Sequence, residues 1–222
     1  MSTTRARKAP SPAPSVAAVP TPKRSYLRAA LPALLVAGLC HVPAVARVEY
    51  VPGLLSVAAV AYAVLQARTA RQAFGAGFAY ISILALLLNY WMVPTLIEYT
   101  SGNVLVAVGC YLAACFLMAP FFGLQFALFA ALRSPGGARF ALPRNAALFA
   151  ATWVLFEWGR AWLFSAVPFM GYAWGAALAG NTLLIQPAAA GGVFLLSFLL
   201  VFPAYFLAAA VRQKRWQPAL VA

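Results

Sequence analysis

The sequence has no aspartate and only three glutamates, Glu49, Glu98 and Glu157, against 16 lysines and arginines, and its single histidine is His41. Charged residues make up 9% of the 222 positions, where a soluble domain carries about a quarter; a water-facing surface cannot be drawn from so few. The three cysteines, Cys40, Cys110 and Cys115, all fall inside apolar runs. No spacing among them and His41 matches a metal site, a disulfide framework has no support, and a thiol packed in an apolar helix behaves as a small hydrophobe. Neither a metal nor a cofactor is expected. Polar residues inside the apolar runs are scarce, which disfavours a channel or transporter pathway, and no repeat of fixed period or inverted pattern is evident.

What the chain does have is apolar length. Hydrophobic residues account for 64% of it, mean hydropathy is +0.86, and the apolar residues come in long runs rather than one-sided stripes. Crossing the hydrocarbon takes about 20 such residues per helix, and backbone amides in lipid must bond within their own segment. The expected fold is therefore all-α, a polytopic transmembrane bundle of about six spans, near 26–46, 51–66, 73–93, 103–132, 145–164 and 183–211. Together these form one bundle over residues 26–211.

The formal charge of +13 reads as topology rather than as a nucleic-acid footprint. Arg5, Arg7, Lys8, Lys23, Arg24 and Arg28 precede the first run, Arg68 and Arg71 join the second to the third, Arg133, Arg139 and Arg144 join the fourth to the fifth, and Arg212, Lys214 and Arg215 follow the sixth. With both termini in the cytoplasm, all of these lie inside, as the positive-inside rule requires; only Arg47 and Arg160 fall toward the outside. Residues 1–25, rich in Pro, Ser and Ala, read as a disordered basic tail near anionic headgroups. They are not a signal peptide, because the run that follows is too long and leads into more spans. Residues 212–222 form a basic C-terminal segment.

Three stretches carry more than composition. FGAGF, residues 74–78, lies near the start of a lipid-embedded helix, where small residues allow close backbone approach rather than phosphate binding. The run at 103–132 is roughly 45 Å long as a helix, more than the hydrocarbon core of about 30 Å, so it must bend, tilt or protrude. Pro120 is the expected bend, with Asn103 or Ser101 as the cap. FEWGRAWLFSAVPFMGYAWG, residues 156–175, sets Glu157 and Arg160 on one helix face at i and i+3, toward the outer end of its span. An ionisable pair at membrane depth is a functional candidate; it can act as a clamp on the following loop or touch a substrate. Beyond it, Pro168, Phe169, Tyr172 and Trp174 either line an opening for lipid or form an interfacial aromatic belt.

The order of these residues resembles a known family. WVLFEWGRAWLFSAVPF is similar to the segment of bacterial apolipoprotein N-acyltransferases that reads W-V-x-x-E-W-x-R-G-W and then F-P-W. GGVFLLSFLL, residues 191–200, is similar to G-V-Y-G-V-S-F-L-L, and AFGAGFAYISILALLLNYWMV resembles the family's third span. The chain departs from the pattern at Ala161, where the family has glycine, at Val167-Pro168-Phe169 in place of F-P-W, and in the shorter spacing from Pro168 to Tyr172.

The resemblance implies a further external nitrilase-like domain, whose Glu, Lys and Cys triad takes an acyl chain from phospholipid and passes it to a lipoprotein amino terminus. RQKRWQPALVA, at residues 212–222, is where that family's seventh span would begin. No such triad can be assembled from the residues at hand, so activity by this chain alone is not expected and the catalytic residues are none. The implied role is a bacterial inner-membrane module that binds the phospholipid bilayer, anchors a separate nitrilase-like chain and admits phospholipid. A non-catalytic scaffold, a lipid-binding protein or a truncated copy that kept the fold without the chemistry stays open beside it.

Overall fold

The structure is a computed structural model that describes residues 26–134, 140–165 and 172–213. The basic tail, Lys214 and Arg215, and the candidate residues Pro168 and Phe169 lie outside the described residues. Among those described there is no strand; the fold is all-α. The helices are α1 (Tyr26–Ala46), α2 (Tyr50–Gln66), α3 (Ala70–Leu88), α4 (Met92–Tyr99), α5 (Val104–Leu117), α6 (Ala119–Leu132), α7 (Ala141–Leu163) and α8 (Ala188–Gln213). A short 3-10 helix covers Trp174–Leu178.

Four stretches are long and apolar enough to cross a membrane: α1, α3, the α5–α6 stretch Val104–Leu132, and α8. α2, at 17 residues, is apolar but shorter. α7 is long but carries Arg144, Glu157 and Arg160. The long run at 103–132 is two helices meeting at Met118, whose backbone remains in the right-handed helical region. Pro120 falls in the first turn of α6, where its missing N–H is least costly. Asn103 caps α5 by accepting from the Val106 N–H at 3.1 Å, which satisfies one of the orphan donors of a helix start.

α3 and α6 cross with backbone in close approach. A Cβ on Gly77 would fall onto the Phe122 carbonyl, and one on Gly123 would meet the Phe74 ring at 2.7 Å. Of the two FGAGF glycines, Gly77 thus serves backbone approach, while a Cβ on Gly75 would meet only the Leu27 side chain, at 3.5 Å. Gly77→Ala is expected to lower stability by about 1–3 kcal/mol through overpacking. Gly109→Ala, whose Cβ would meet nothing within 4 Å, should leave it unchanged. Retention of monodisperse protein on heating in detergent reads both.

α5 is held against α3 in fixed register by the Tyr111 hydroxyl, which donates to the Leu86 carbonyl at 2.8 Å. At the opposite end of the bundle, Arg133 donates to the Val64 and Ala67 carbonyls. Val64 lies in the last turn of α2, its carbonyl shared with the Ala67 N–H at 3.1 Å, and Ala67 is the residue that follows the helix.

α8 is not one continuous helix. Gly191 and Gly192 leave helical geometry, and Gly192 has φ 62° and ψ −161°, a conformation in which a side chain is strained. The kink matters because the 3-10 helix lies directly on it. A Cβ at Gly175 would strike the Ser197 N and the Val193 carbonyl at once.

Candidate functional site

α7 delivers Glu157 and Arg160 to the bundle interior at 3% and 4% exposure, and both side chains reach the segment that follows the helix. Arg160 donates through Nη2 to the Tyr172 carbonyl. Glu157 accepts through Oε1 from the Trp174 N–H at 2.5 Å. An acid and a base one turn apart thus grip alternate backbone positions of one strand-like stretch, the carbonyl of 172 and the amide of 174. Tyr172 and Trp174 precede and open the 3-10 helix, which has no α-helical ladder of its own to fix it. Charged groups make the stronger hydrogen bonds, and in an apolar surround an unmade one is costly.

Trp174 is 2% exposed, which sets it apart from an interfacial belt residue: it is the centre of an aromatic core. Its ring lies 5.0 Å from His41, 5.4 Å from Phe122, 5.4 Å from Tyr172 and 5.5 Å from Trp153, between ring centroids. The Arg160 guanidinium sits 5.5 Å from the Trp174 centroid and 5.7 Å from that of Phe122. Cation–π attraction within about 6 Å therefore adds to its bond with the Tyr172 carbonyl.

A polar thread leaves this core. The Trp174 indole donates to the Tyr80 hydroxyl at 3.2 Å, that hydroxyl lies 3.4 Å from Ser56 Oγ, and Ser56 donates to the Ala37 carbonyl at 2.7 Å. On the other side, the Gly175 N–H donates to Ser197 Oγ at 2.8 Å. α1, α2, α3, α7 and α8 are all tied to the 172–175 stretch.

His41 sits inside the same cluster at 0% exposure, its ring 5.6 Å from Tyr172 and edge-on. Among the described residues neither of its ring nitrogens has a hydrogen-bond partner, and neither does the Tyr172 hydroxyl. Burial pushes the Tyr172 phenol above its usual range, so the ring stays neutral with its proton in place.

Beside this cluster is a cavity of about 460 Å³. Its walls are Ile81, Leu84 and Ala85 of α3, Ala114 of α5, Met118, and Phe122 of α6. Its polar margin is Asn89, Trp91, Arg160 and Tyr172, residues at the ends of α3 and α7 or just beyond them. Of the residues singled out in the sequence, Glu157, Arg160, Tyr172 and Trp174 thus come together. Arg160, Tyr172 and Trp174 also line the cavity.

His41, Ser56, Tyr80 and Ser197 belong to the same network without having stood out in the sequence. Each is a lone polar group in an apolar helix; Tyr80 and Ser197 lie in the segments AFGAGFAYISILALLLNYWMV and GGVFLLSFLL, but neither spacing nor composition marks them within those segments. Among the described residues no group of three His, Cys, Asp or Glu side chains is placed to hold a metal ion. The cysteines are apart, Cys115 buried, Cys110 exposed on α5 and Cys40 half-buried on α1.

The apolipoprotein N-acyltransferase N-terminal domain family matches residues 37–206, a range that takes in α2 to α7, the 3-10 helix and most of α8. No curated protein matches.

Proposed function

The chain belongs to the apolipoprotein N-acyltransferase N-terminal domain family, and from that premise we propose that it is a bacterial inner-membrane module for acyl transfer to lipoproteins. In this reading it anchors a nitrilase-like catalytic domain, carried by a separate chain, at the outer end of the bundle and admits phospholipid to it. The observation that carries the reading is the 172–175 stretch, held by Glu157 and Arg160 beside a cavity at the same end of the bundle. A docked catalytic domain needs a platform of fixed shape, and a buried acid and base bonded to its backbone supply one.

The chemistry itself falls to the other domain. In this reading the triad of Glu, Lys and Cys is supplied by the other chain; no lysine lies among the described residues of this one. The role left to this chain is to hold, orient and admit.

Charge supports an orientation with six crossings, by α1, α2, α3, α5 with α6, α7 and α8, both termini being cytoplasmic. Arg28, Arg68, Arg71, Arg133, Arg144 and Arg212 fall at helix ends on one side, and Glu49 and Glu98 at the other, as the positive-inside rule favours. A reporter fused after Gly136 should report cytoplasm and one after Gly180 the outside; the reverse would turn the platform to the wrong face.

The function is tested by following a labelled acyl chain from phospholipid to a lipoprotein amino terminus in host membranes with and without the chain. Loss of transfer on removal, restored by re-expression, is expected. Unchanged transfer would leave a scaffold or lipid-binding protein with the family fold.

A further inference from the structure

One end of the bundle carries Arg28, Arg68, Arg71, Arg133, Arg144 and Arg212 and, among the described residues, no acidic side chain. All three glutamates of the sequence are placed elsewhere. Glu49 precedes α2 and Glu98 lies in α4, both at the opposite end, and Glu157 is bonded to the Trp174 N–H. These arginines have no acidic side chain of their own chain to pair with, and an anion from outside it relieves their mutual repulsion.

Packing draws three of them together. Arg133, half-buried at the end of α6, donates to the Val64 and Ala67 carbonyls, and Arg68 is the residue after Ala67. The turn that carries Arg68 is fixed: its N–H donates to Gln72 Oε1 at 2.7 Å, and the Gln72 N–H donates to Thr69 Oγ1 at 3.2 Å. Arg133 also acts electrostatically on Tyr205 of α8, and so does Arg212, about two turns further along that helix. Tyr205 is seated against the Phe129 and Phe149 rings, at 5.9 and 5.5 Å between centroids. Tyr26 of α1 donates to the Ala63 carbonyl at 2.7 Å and lies in the field of Arg133 as well. The bonds to α2 hold the Arg133 guanidinium in position and leave its other N–H groups for an acceptor from outside the chain.

We propose that Arg68, Arg133 and Arg212 form a binding site for the phosphates of an anionic phospholipid, at the end of the bundle away from Glu157 and the cavity. All three stand at helix ends, where a span meets the headgroups, and basic pockets between transmembrane helices take such headgroups. Guanidinium pairs with phosphate through two parallel bonds. Three arginines without an acid match the two phosphates of cardiolipin better than one phosphate, and a zwitterionic lipid brings a cation that this surface repels. The site does not depend on acyl transfer; only the leaflet it faces rests on the orientation argued above.

The full chain, purified in mild detergent, is titrated with cardiolipin, phosphatidylglycerol or phosphatidylcholine of matched acyl chains, and separately with inorganic phosphate. Native mass spectrometry counts the retained adducts. Cardiolipin is expected to bind most tightly and phosphatidylglycerol next, with phosphatidylcholine at least about tenfold weaker than cardiolipin. Arg212→Gln and Arg68→Gln should each weaken cardiolipin about fivefold, the equivalent of about 1 kcal/mol for one arginine at an anionic surface. Arg133→Gln should lose more, but it also releases the end of α2, so the two exposed arginines carry the test. Arg28→Gln at the same end and Arg47→Gln at the other remove the same charge and should leave the affinity within about twofold.

Equal retention of cardiolipin and phosphatidylcholine would overturn the proposal. So would an equal loss from Arg28→Gln, which would make the effect a diffuse field rather than a site. Displacement of cardiolipin by inorganic phosphate at the same concentration would overturn the lipid as its ligand. Selective retention combined with reversed fusion reporters would keep the site and move it to the other leaflet.

Discussion

Arg160→Ala is expected to destabilise the bundle by about 3–5 kcal/mol, the range for removing one member of a buried charged pair. Three losses coincide. The Tyr172 carbonyl loses its charged donor, the Trp174 and Phe122 rings lose the cation between them, and Glu157 is left buried without the neighbouring positive charge. Arg160→Lys should recover only part of this, because an ammonium is a point charge without the planar fork that stacks on rings while it bonds sideways. Glu157→Gln keeps an oxygen for the Trp174 N–H and loses only the charge balance, so it should cost less than Arg160→Ala. Thermal unfolding in one detergent, followed by size-exclusion recovery, orders the three. If Arg160→Ala melts with the wild type, the pair does not hold the 172–175 stretch.

Trp174→Ala should be of similar size, about 3–5 kcal/mol for emptying a buried tryptophan site. Four aromatic neighbours lose a partner, and the Tyr80 hydroxyl loses a donor. Trp174→Phe separates the two contributions: it refills most of the volume and takes only the indole donor from the Tyr80 hydroxyl, which keeps Ser56 at 3.4 Å, and about 0.5–1.5 kcal/mol is expected for that alone. The same spectrometer reads both. Equal losses for Ala and Phe would mean that the indole N–H, not the packing, dominates.

The sequence makes the membrane fold legible because lipid imposes one rule on every residue. Runs of about 20 apolar residues leave few alternatives to a helix. Asn103 as a cap and Pro120 at a helix junction were legible too, because their chemistry is local.

The site was legible only in part. Glu157 and Arg160 stand out as charges in an apolar run, and their i, i+3 spacing suggests that they meet one another. Their bonds to the backbone at 172 and 174 depend on how the chain returns after α7, which no spacing encodes. Trp174 reads equally well as an interfacial anchor, since a tryptophan near a helix end has the same local signature whether it faces headgroups or a core. His41, Ser56, Tyr80 and Ser197 lie on four different helices, and their convergence exists only once those helices pack. The kink at Gly191–Gly192 has a cause visible in the letters, but the close approach of Gly175 to Val193 and Ser197 just beyond it does not.

The most direct test of a platform for a catalytic domain is mass spectrometry of what purifies with the tagged chain from its own host membranes in mild detergent. A stoichiometric chain with a nitrilase-like domain carrying Glu, Lys and Cys is the expected result, with its yield reduced by Arg160→Ala in proportion to the loss of the folded bundle. A wild-type chain that purifies folded and alone would contradict the proposed function.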